Sequence, residues 1–178
     1  MIWTTIKQRL FRAAPKLTFS DAQIEVLSKS ISDRILSDEA FVRALSLKLA
    51  TTPTIFGGGW DRVKLGKEVQ LVNTLMNVVS GQISIGDYSF FGHNVCLLTG
   101  THDPTKQLEA RKNYPTSSRN ISIGKGVWIA SNATIIGPCE IGDNAVVAAG
   151  SVVVGGSVSA NSVYAGVPAR EVKKIRCD

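Results

Sequence analysis

The stretch "IGKGVWIASNATIIGPCEIGDNAVVAAGSVV", residues 123–153, repeats with a period of six. Ile123, Ile129, Ile135, Ile141, Val147 and Val153 form one aliphatic row. Four residues after each comes a second row of small or apolar residues: Val127, Ala133, Cys139, Ala145, Ser151 and Ser157. A hexapeptide period is the signature of a parallel β-helix. Each unit supplies a short strand and a corner. The aliphatic residue points inward, the small residue turns in near the corner, and glycine eases the backbone there. Three units close a triangular coil, so residue n is expected beneath n+18, about 4.8 Å away along the ladder. Ile123 is therefore expected on Ile141, and Ile129 on Val147. Cys139 reads as a small core hydrophobe rather than a reactive thiol.

Upstream, the period is legible as Leu65 and Leu71, slips by two residues, and resumes as Val79, Ile85, Phe91 and Leu97. It stops after His102. The next eighteen residues, "DPTKQLEARKNYPTSSRN" (103–120), have no hexad phase, two prolines and several charges. Loops of this length inside a compact domain are usually functional. His102 is the last residue held by the coil, which suits a side chain that must meet a substrate. Imidazole, with an unperturbed pKa of about 6.5, is matched to general-base work near neutral pH. Either Asp103 or a backbone carbonyl could orient its ring. The chain's second histidine, His93, stands two residues into its hexad and is a weaker candidate.

Ahead of the repeat, "SDAQIEVLSKSISDRIL" (20–36) opens with a capping-box pattern, Ser20 and Gln23, and continues with Ile24, Leu27, Ile31 and Ile35 at helical spacing. A second helix is expected from about Asp38 to Ala50, carrying Phe41, Val42, Leu45 and Leu49 and ended by Thr52-Pro53. The apolar stripes of both are expected to pack on the rest of the domain. Docking to a partner or to a membrane surface is the alternative. The organisation that follows is an N-terminal helical segment, 1–55, and a β-helix, 56–178, with the excursion at 103–120 and a tail at 166–178.

A chain of 178 residues accommodates one domain with a sizeable core. The formal charge of +6 suits a polyanionic or phosphate-bearing partner. The basic residues form no aromatic-interleaved strip, so no nucleic acid is expected. Three cysteines, an odd number without C-x-x-C spacing, suggest free thiols and no metal site. No apolar stretch approaches the roughly 20 residues of a transmembrane segment. The start, "MIWTTIKQRLFRAAPK", lacks the pattern of a signal peptide, so a cytoplasmic location is expected.

The hexads, "TGTHD" with the loop after it, "GVWIASNATI", "IGDNAVVAAGSVV" and "AGVPAR" together resemble the hexapeptide-repeat acyltransferases. The likeness runs over about residues 60–176 and is greatest to the galactoside, maltose and polysaccharide O-acetyltransferases. It implies a left-handed parallel β-helix, normally a homotrimer, with acetyl-coenzyme A in a groove between neighbouring subunits. It implies His102 as general base for direct transfer of acetyl to a hydroxyl of a saccharide or glycoconjugate, with no covalent enzyme intermediate. Family positions for the cofactor match Trp128, Ser131 and Ala149, and the basic residues Arg170, Lys173 and Lys174 could neutralise its phosphates. Where the family often carries Lys or Thr-Lys after "GSVV", this chain has "VVVGGS", which puts that phosphate contact in doubt. The segment "LVNTLMN" resembles the place of an acceptor-site Asn, assigned to Asn73 with Asn77 as the other alignment, and Asp103 joins it as a substrate-binding candidate. A surface polysaccharide, a glycolipid or a small saccharide is the expected acceptor class.

Three other readings remain for test. The same base and groove would serve N-acetylation of an amino sugar. A related coil in hexapeptide-type carbonic anhydrases needs three His on zinc, whereas this chain has two His. A non-enzymatic β-helix scaffold would need neither the His nor the coenzyme groove. Serine acetyltransferases join a longer helical part to such a coil, with a different loop.

Overall fold

The computed structural model describes residues 20–176, which leaves Cys177 and the opening segment outside. The chain divides into two units, 1–47 and 48–178. Helix α1 (Asp21–Ser37) starts on the capping box: Gln23 N–H donates to Ser20 Oγ (3.3 Å) and Ser20 N–H to Gln23 Oε1 (2.9 Å). Helix α2 (Glu39–Thr51) follows at once, because Asp38 Oδ1 accepts from Phe41 N–H (2.9 Å) and satisfies one of the donors a helix start leaves open. Within the helices no side chain is buried, and Ile24, Leu27, Ile31, Ile35, Phe41 and Leu45 are each 42–52% exposed.

Beyond the helices the chain is a three-sided parallel β-solenoid. Face one stacks β1 (Thr54–Phe56), β3 (Leu75–Asn77), β6 (Cys96–Leu98), the first half of β9 (Thr134–Ile141) and the start of β11 (Val152–Val158). Face two stacks β2 (Val63–Leu65), β4 (Ile83–Ile85), β7 (Ile121–Ile123), the second half of β9 and the end of β11. Face three stacks β5 (Phe90–Phe91), β8 (Trp128–Ile129), β10 (Val146–Val147) and β12 (Ser162–Gly166), and β13 (Ala169–Lys174) closes it as an antiparallel hairpin. The segment at 166–178 read from sequence as a tail thus contributes a strand.

The expected stacking holds where the hexads are regular. Ile123 pairs with Ile141, Ile129 with Val147 and Ile135 with Val153. All six residues of the aliphatic row from Ile123 to Val153 are buried, as are Val127, Ala133, Cys139, Ala145 and Ser151. Burial of an Ile or Val side chain contributes about 1.5–3 kcal/mol, so the inner rows are what hold the coils together. Corners are tied by side chains that replace strand bonds. Asp87 Oδ1 accepts from Lys67 N–H (2.8 Å) and Asp143 Oδ1 from Lys125 N–H (2.8 Å). The first of these bonds holds the Asp87 carboxyl below its usual range, although the group is open to solvent. Asn94, Asn132, Asn144 and Asn161 take left-handed φ of 51–61°, a conformation in which Asn is enriched.

Irregularity gathers at one corner, between faces one and two. In the regular coil six residues separate Ile135 from Ile141. The same turn takes nine from Met76 to Ile85, twenty-six from Leu97 to Ile123, and five from Val153 to Val158. Two expectations fail here. Met76, rather than a residue in phase with Val79, stacks beneath Leu97, and Val78 is buried while Val79 is half-buried. Ser157 is exposed and Val158 takes the inward position, because Gly155 and Gly156, with φ of 63° and 75°, form a bulge that shifts the register by one. Leu65, on the first coil, is 43% exposed.

The outward rows differ in character. Face one carries Phe56, Asn77, Leu98, Ile136 and Val154, and face three Phe90, Trp128, Val146 and Val163. Face two carries Lys64, Ser84, Ser122, Glu140 and Ser157. Two faces are mainly apolar outside, and one is polar.

Candidate functional site

His102 stands at the irregular corner, four residues past the end of β6, exposed to solvent. The excursion after it folds back over the ring. His102 Nδ1 lies 3.3 Å from the Asn113 carbonyl oxygen, and the Tyr114 ring meets the imidazole edge to face, centroids 5.9 Å apart at 89°. A carbonyl oxygen only accepts, so this contact requires the proton on Nδ1 and leaves the lone pair on Nε2. Asp103 turns away. Its Oδ1 accepts from Thr105 Oγ1 (2.7 Å) and Thr105 N–H (2.9 Å), and these two bonds hold its carboxyl below the usual range. Of the two orienting groups the sequence offers, the backbone carbonyl is the one in contact.

The excursion keeps its own shape. Arg111 Nε donates to the Lys106 carbonyl (2.7 Å), and residues Leu108–Lys112 form a short 3-10 turn. His102, Leu108, Arg111 and Lys112 border an open hollow of about 280 Å³. At the neck, Thr99 is fully buried, with Oγ1 donating to the Asn77 carbonyl (2.9 Å) and accepting from Ser80 N–H (3.1 Å).

The two Asn alignments have different surroundings. Asn73 belongs to a ladder of corner amides, donating through Nδ2 to Asn94 Oδ1 (2.7 Å) and accepting from Asn94 N–H (2.9 Å), and Asn94 in turn donates to Asn132 Oδ1 (3.3 Å). Asn77 lies on the outward row of face one beside Gly100, where a Cβ would come within 2.9 Å of the Asn77 amide. Of the two, Asn77 is the neighbour of the segment that leads to His102.

The cofactor candidates sit at another corner, between faces three and one. Ser131 and Ala149 are neighbours on adjacent coils, since Gly150 N–H donates to the Ser131 carbonyl (3.0 Å). Ala149 is exposed, and a Cβ on Gly150 would meet nothing within 4 Å, so the strip leaves backbone groups open to an extended thin ligand. His93 N–H donates to Ser131 Oγ (3.1 Å), a structural contact for that residue's backbone. Trp128, 45% exposed, stacks on Phe90 on face three with ring centroids 5.9 Å apart. Arg170 is in register with Ala165 and Lys173 with Val163, so both basic residues stand on the closing strand, at the end of the column Ala130, Ala148, Ala165. Gly155 and Gly156 build the bulge that follows Val154. Small surface, aromatic rim and terminal cations are compatible with a pantetheine arm and phosphates.

One face of the solenoid separates the two groups. His102 and the Ser131–Ala149 strip occupy different corners of the same chain, with the strands of face one between them. Sequence reasoning missed Thr99, Asn113, Tyr114 and Arg119, which shape the His102 corner. Their partners are set by how the excursion returns, for which the repeat carries no signal.

Residues 120–155 match the family of bacterial transferase hexapeptide (six repeats) proteins. Over 123 residues the chain is 33% identical to the galactoside O-acetyltransferase of Escherichia coli (strain K12), an alignment covering 69% of this chain and 59% of that protein, so the chain spans about three fifths of that relative's length. A solved galactoside acetyltransferase in complex with coenzyme A superposes with a TM-score of 0.57 at 29% identity, covering 78% of this chain and 72% of that one. A hexapeptide-repeat acetyltransferase from Vibrio cholerae O1 biovar eltor, complexed with acetyl-coenzyme A, shares the fold with a TM-score of 0.59 at 24% identity, covering 89% of this chain and 92% of that one. Coil, corner loop and these likenesses agree: the chain belongs with the hexapeptide-repeat transferases, in the branch that holds the galactoside O-acetyltransferases.

Proposed function

We propose that the protein is an acetyl-coenzyme A-dependent O-acetyltransferase that acts on a hydroxyl of a saccharide or glycoconjugate, with His102 as general base. The observation that carries this reading is the His102 ring held through Nδ1 by the Asn113 carbonyl at the mouth of an excursion from an otherwise regular coil. The likeness to a galactoside O-acetyltransferase supports the reaction class, and the coenzyme in its relatives' structures supports the donor.

The residues divide the work by corner. Ser131, Ala149 and Trp128 would lie along the pantetheine arm, with Arg170 and Lys173 near the phosphates. The donor supplies an activated thioester. At the other corner, Nε2 of His102 takes the proton of the attacking hydroxyl as the new C–O bond forms. The C–S bond breaks, and the departing thiolate takes that proton from the imidazolium, so the base is restored without a covalent enzyme intermediate. Preorganised placement of both reactants supplies the rest of the rate. Asn77 is the better situated of the two to meet the acceptor because it lies beside Gly100, on the segment that leads to His102; its Oδ1 accepts from Val79 N–H (3.1 Å), as the Asn73 amide is engaged with Asn94. Asp103, held by Thr105, acts through the shape of the loop.

A homotrimer follows from the same reading. The base and the strip stand on different corners, so a complete site needs the His102 corner of one copy against the strip of the next. The apolar outward rows of faces one and three offer the two surfaces that a closed heterologous ring requires.

The test is His102→Ala. Turnover on a saccharide acceptor is expected to fall by roughly 10²–10⁴ while acetyl-coenzyme A binding is kept. Binding is read by the rise in melting temperature with ligand and by calorimetry. Near wild-type turnover would remove His102 from the mechanism. Failure of the folded wild type to bind acetyl-coenzyme A would favour a scaffold.

A further inference from the structure

Arg119 is the penultimate residue of the excursion, half-buried, and its side chain runs back to the place the excursion left. Nε donates to the Thr99 carbonyl (2.8 Å), and Nη2 donates to the Gly137 carbonyl one coil further on. Its own backbone N–H donates to the Ser80 carbonyl (3.1 Å), one coil before. One residue therefore joins three successive coils at the irregular corner. The seat is tight on both sides. A Cβ on Gly81 would come within 2.6 Å of the Arg119 carbonyl carbon, and one on Gly137 within 2.3 Å of its oxygen. Thr99 is gripped at the same point through its hydroxyl, by Asn77 and Ser80. Only Gly100 and Thr101 lie between Thr99 and His102.

We infer that Arg119 is a positioning residue for His102: by drawing the return of the excursion onto Thr99, it sets the chain that enters the base and the loop that brings the Asn113 carbonyl onto its ring. The inference rests on the reading of His102 as base. Its chemistry is particular to arginine. A planar guanidinium carries several donors in a fixed fork and reaches two carbonyls in different directions, whereas an ammonium on a flexible stem answers one of them well. A placement error of about 1 Å can cost roughly 100-fold in rate, so a residue that never meets substrate can still govern turnover.

The experiment compares Arg119→Gln, Arg119→Lys and His102→Ala by two independent readings. The first is steady-state kinetics, with acetyl-coenzyme A affinity measured alongside. The second is 15N NMR of histidine-labelled protein, practicable because the chain has two His, with His93 as internal reference. Wild-type His102 is expected in the Nδ1-protonated tautomer. In Arg119→Gln, kcat is expected to fall roughly 10–100-fold with acetyl-coenzyme A affinity and KM within about twofold. The His102 signals should move to averaged tautomers, and the lysine variant should recover part of both effects. An unchanged His102 tautomer in Arg119→Gln together with wild-type kcat overturns the inference. If His102→Ala itself keeps wild-type turnover, the base reading fails instead, and the tautomer reading still judges whether Arg119 holds the ring. Should the glutamine variant not fold, the lysine variant decides by the same two readings.

Discussion

An imidazole can be a base through either nitrogen, and at His102 the surroundings choose. The Asn113 carbonyl engages Nδ1, which leaves the lone pair on Nε2. That choice was not legible in the residue string, because Asn113 is eleven positions away inside a segment without period. What was legible was that a histidine ends the coil and that an unpatterned stretch follows. Cys139 shows the opposite case. Its place in the small inward row was predicted from spacing alone, and the side chain is 2% exposed. Burial pushes its thiol up to about 11, so the thiol stays protonated at neutral pH. Folded protein at pH 8 is expected to leave Cys139 unlabelled by a maleimide, with labelling appearing on denaturation, as read by peptide mass spectrometry. Rapid labelling in the native state would contradict the packed position. Asn73 and Asn77, four residues apart, both fit one motif, and their surroundings differ: Asn73 joins the ladder of corner amides with Asn94 and Asn132, and Asn77 Oδ1 accepts from Val79 N–H.

A single coil repeats well because its requirements are local, an aliphatic residue inward and a close approach of backbones at the corner. Gly86 illustrates the second. A Cβ there would come within 2.6 Å of both the carbonyl carbon and the oxygen of Gly124 on the next coil. Gly86→Ala is expected to cost roughly 1–3 kcal/mol, read as a lowered urea midpoint at unchanged slope. The same change at Gly150, where no atom lies within 4 Å, meets only the strain of a positive φ. Regular coils from Ile123 onward were therefore readable to the residue. The slip near Val79 and the bulge at Gly155–Gly156 were not, since each puts another apolar residue, Met76 or Val158, in the inward place that the period gives to Val79 or Ser157. Both fall at the corner that also bears the His102 excursion. The turn there takes five, six, nine, ten or twenty-six residues in different coils, while the strands above and below keep their pairing. A loop at that corner can change in length and sequence at little cost to the core.

For the molecule as a whole, face two is polar outside, while faces one and three carry apolar rows. Single exposed apolar residues are ordinary on a monomer, but continuous rows call for a partner surface. Light scattering after size exclusion is expected to give a mass three times the 19.1 kDa of the chain. A monomer at micromolar concentration would leave the base and the small-residue strip of each copy apart, and would count against the trimer. The helical part stands differently: its amphipathic period and its capping box were readable from sequence, and both helices form where the pattern put them.

A stack of parallel strands has no intrinsic end, since each coil presents to the next the same row of free N–H and C=O groups that it used below. The hairpin of β12 and β13 supplies an end by turning the chain round, so that the last strand runs against the stack and cannot template another coil in the same sense. Length in this architecture is thereby counted in whole coils of about 4.8 Å. A longer or shorter stack is expected to gain or lose complete turns upstream of that reversed strand.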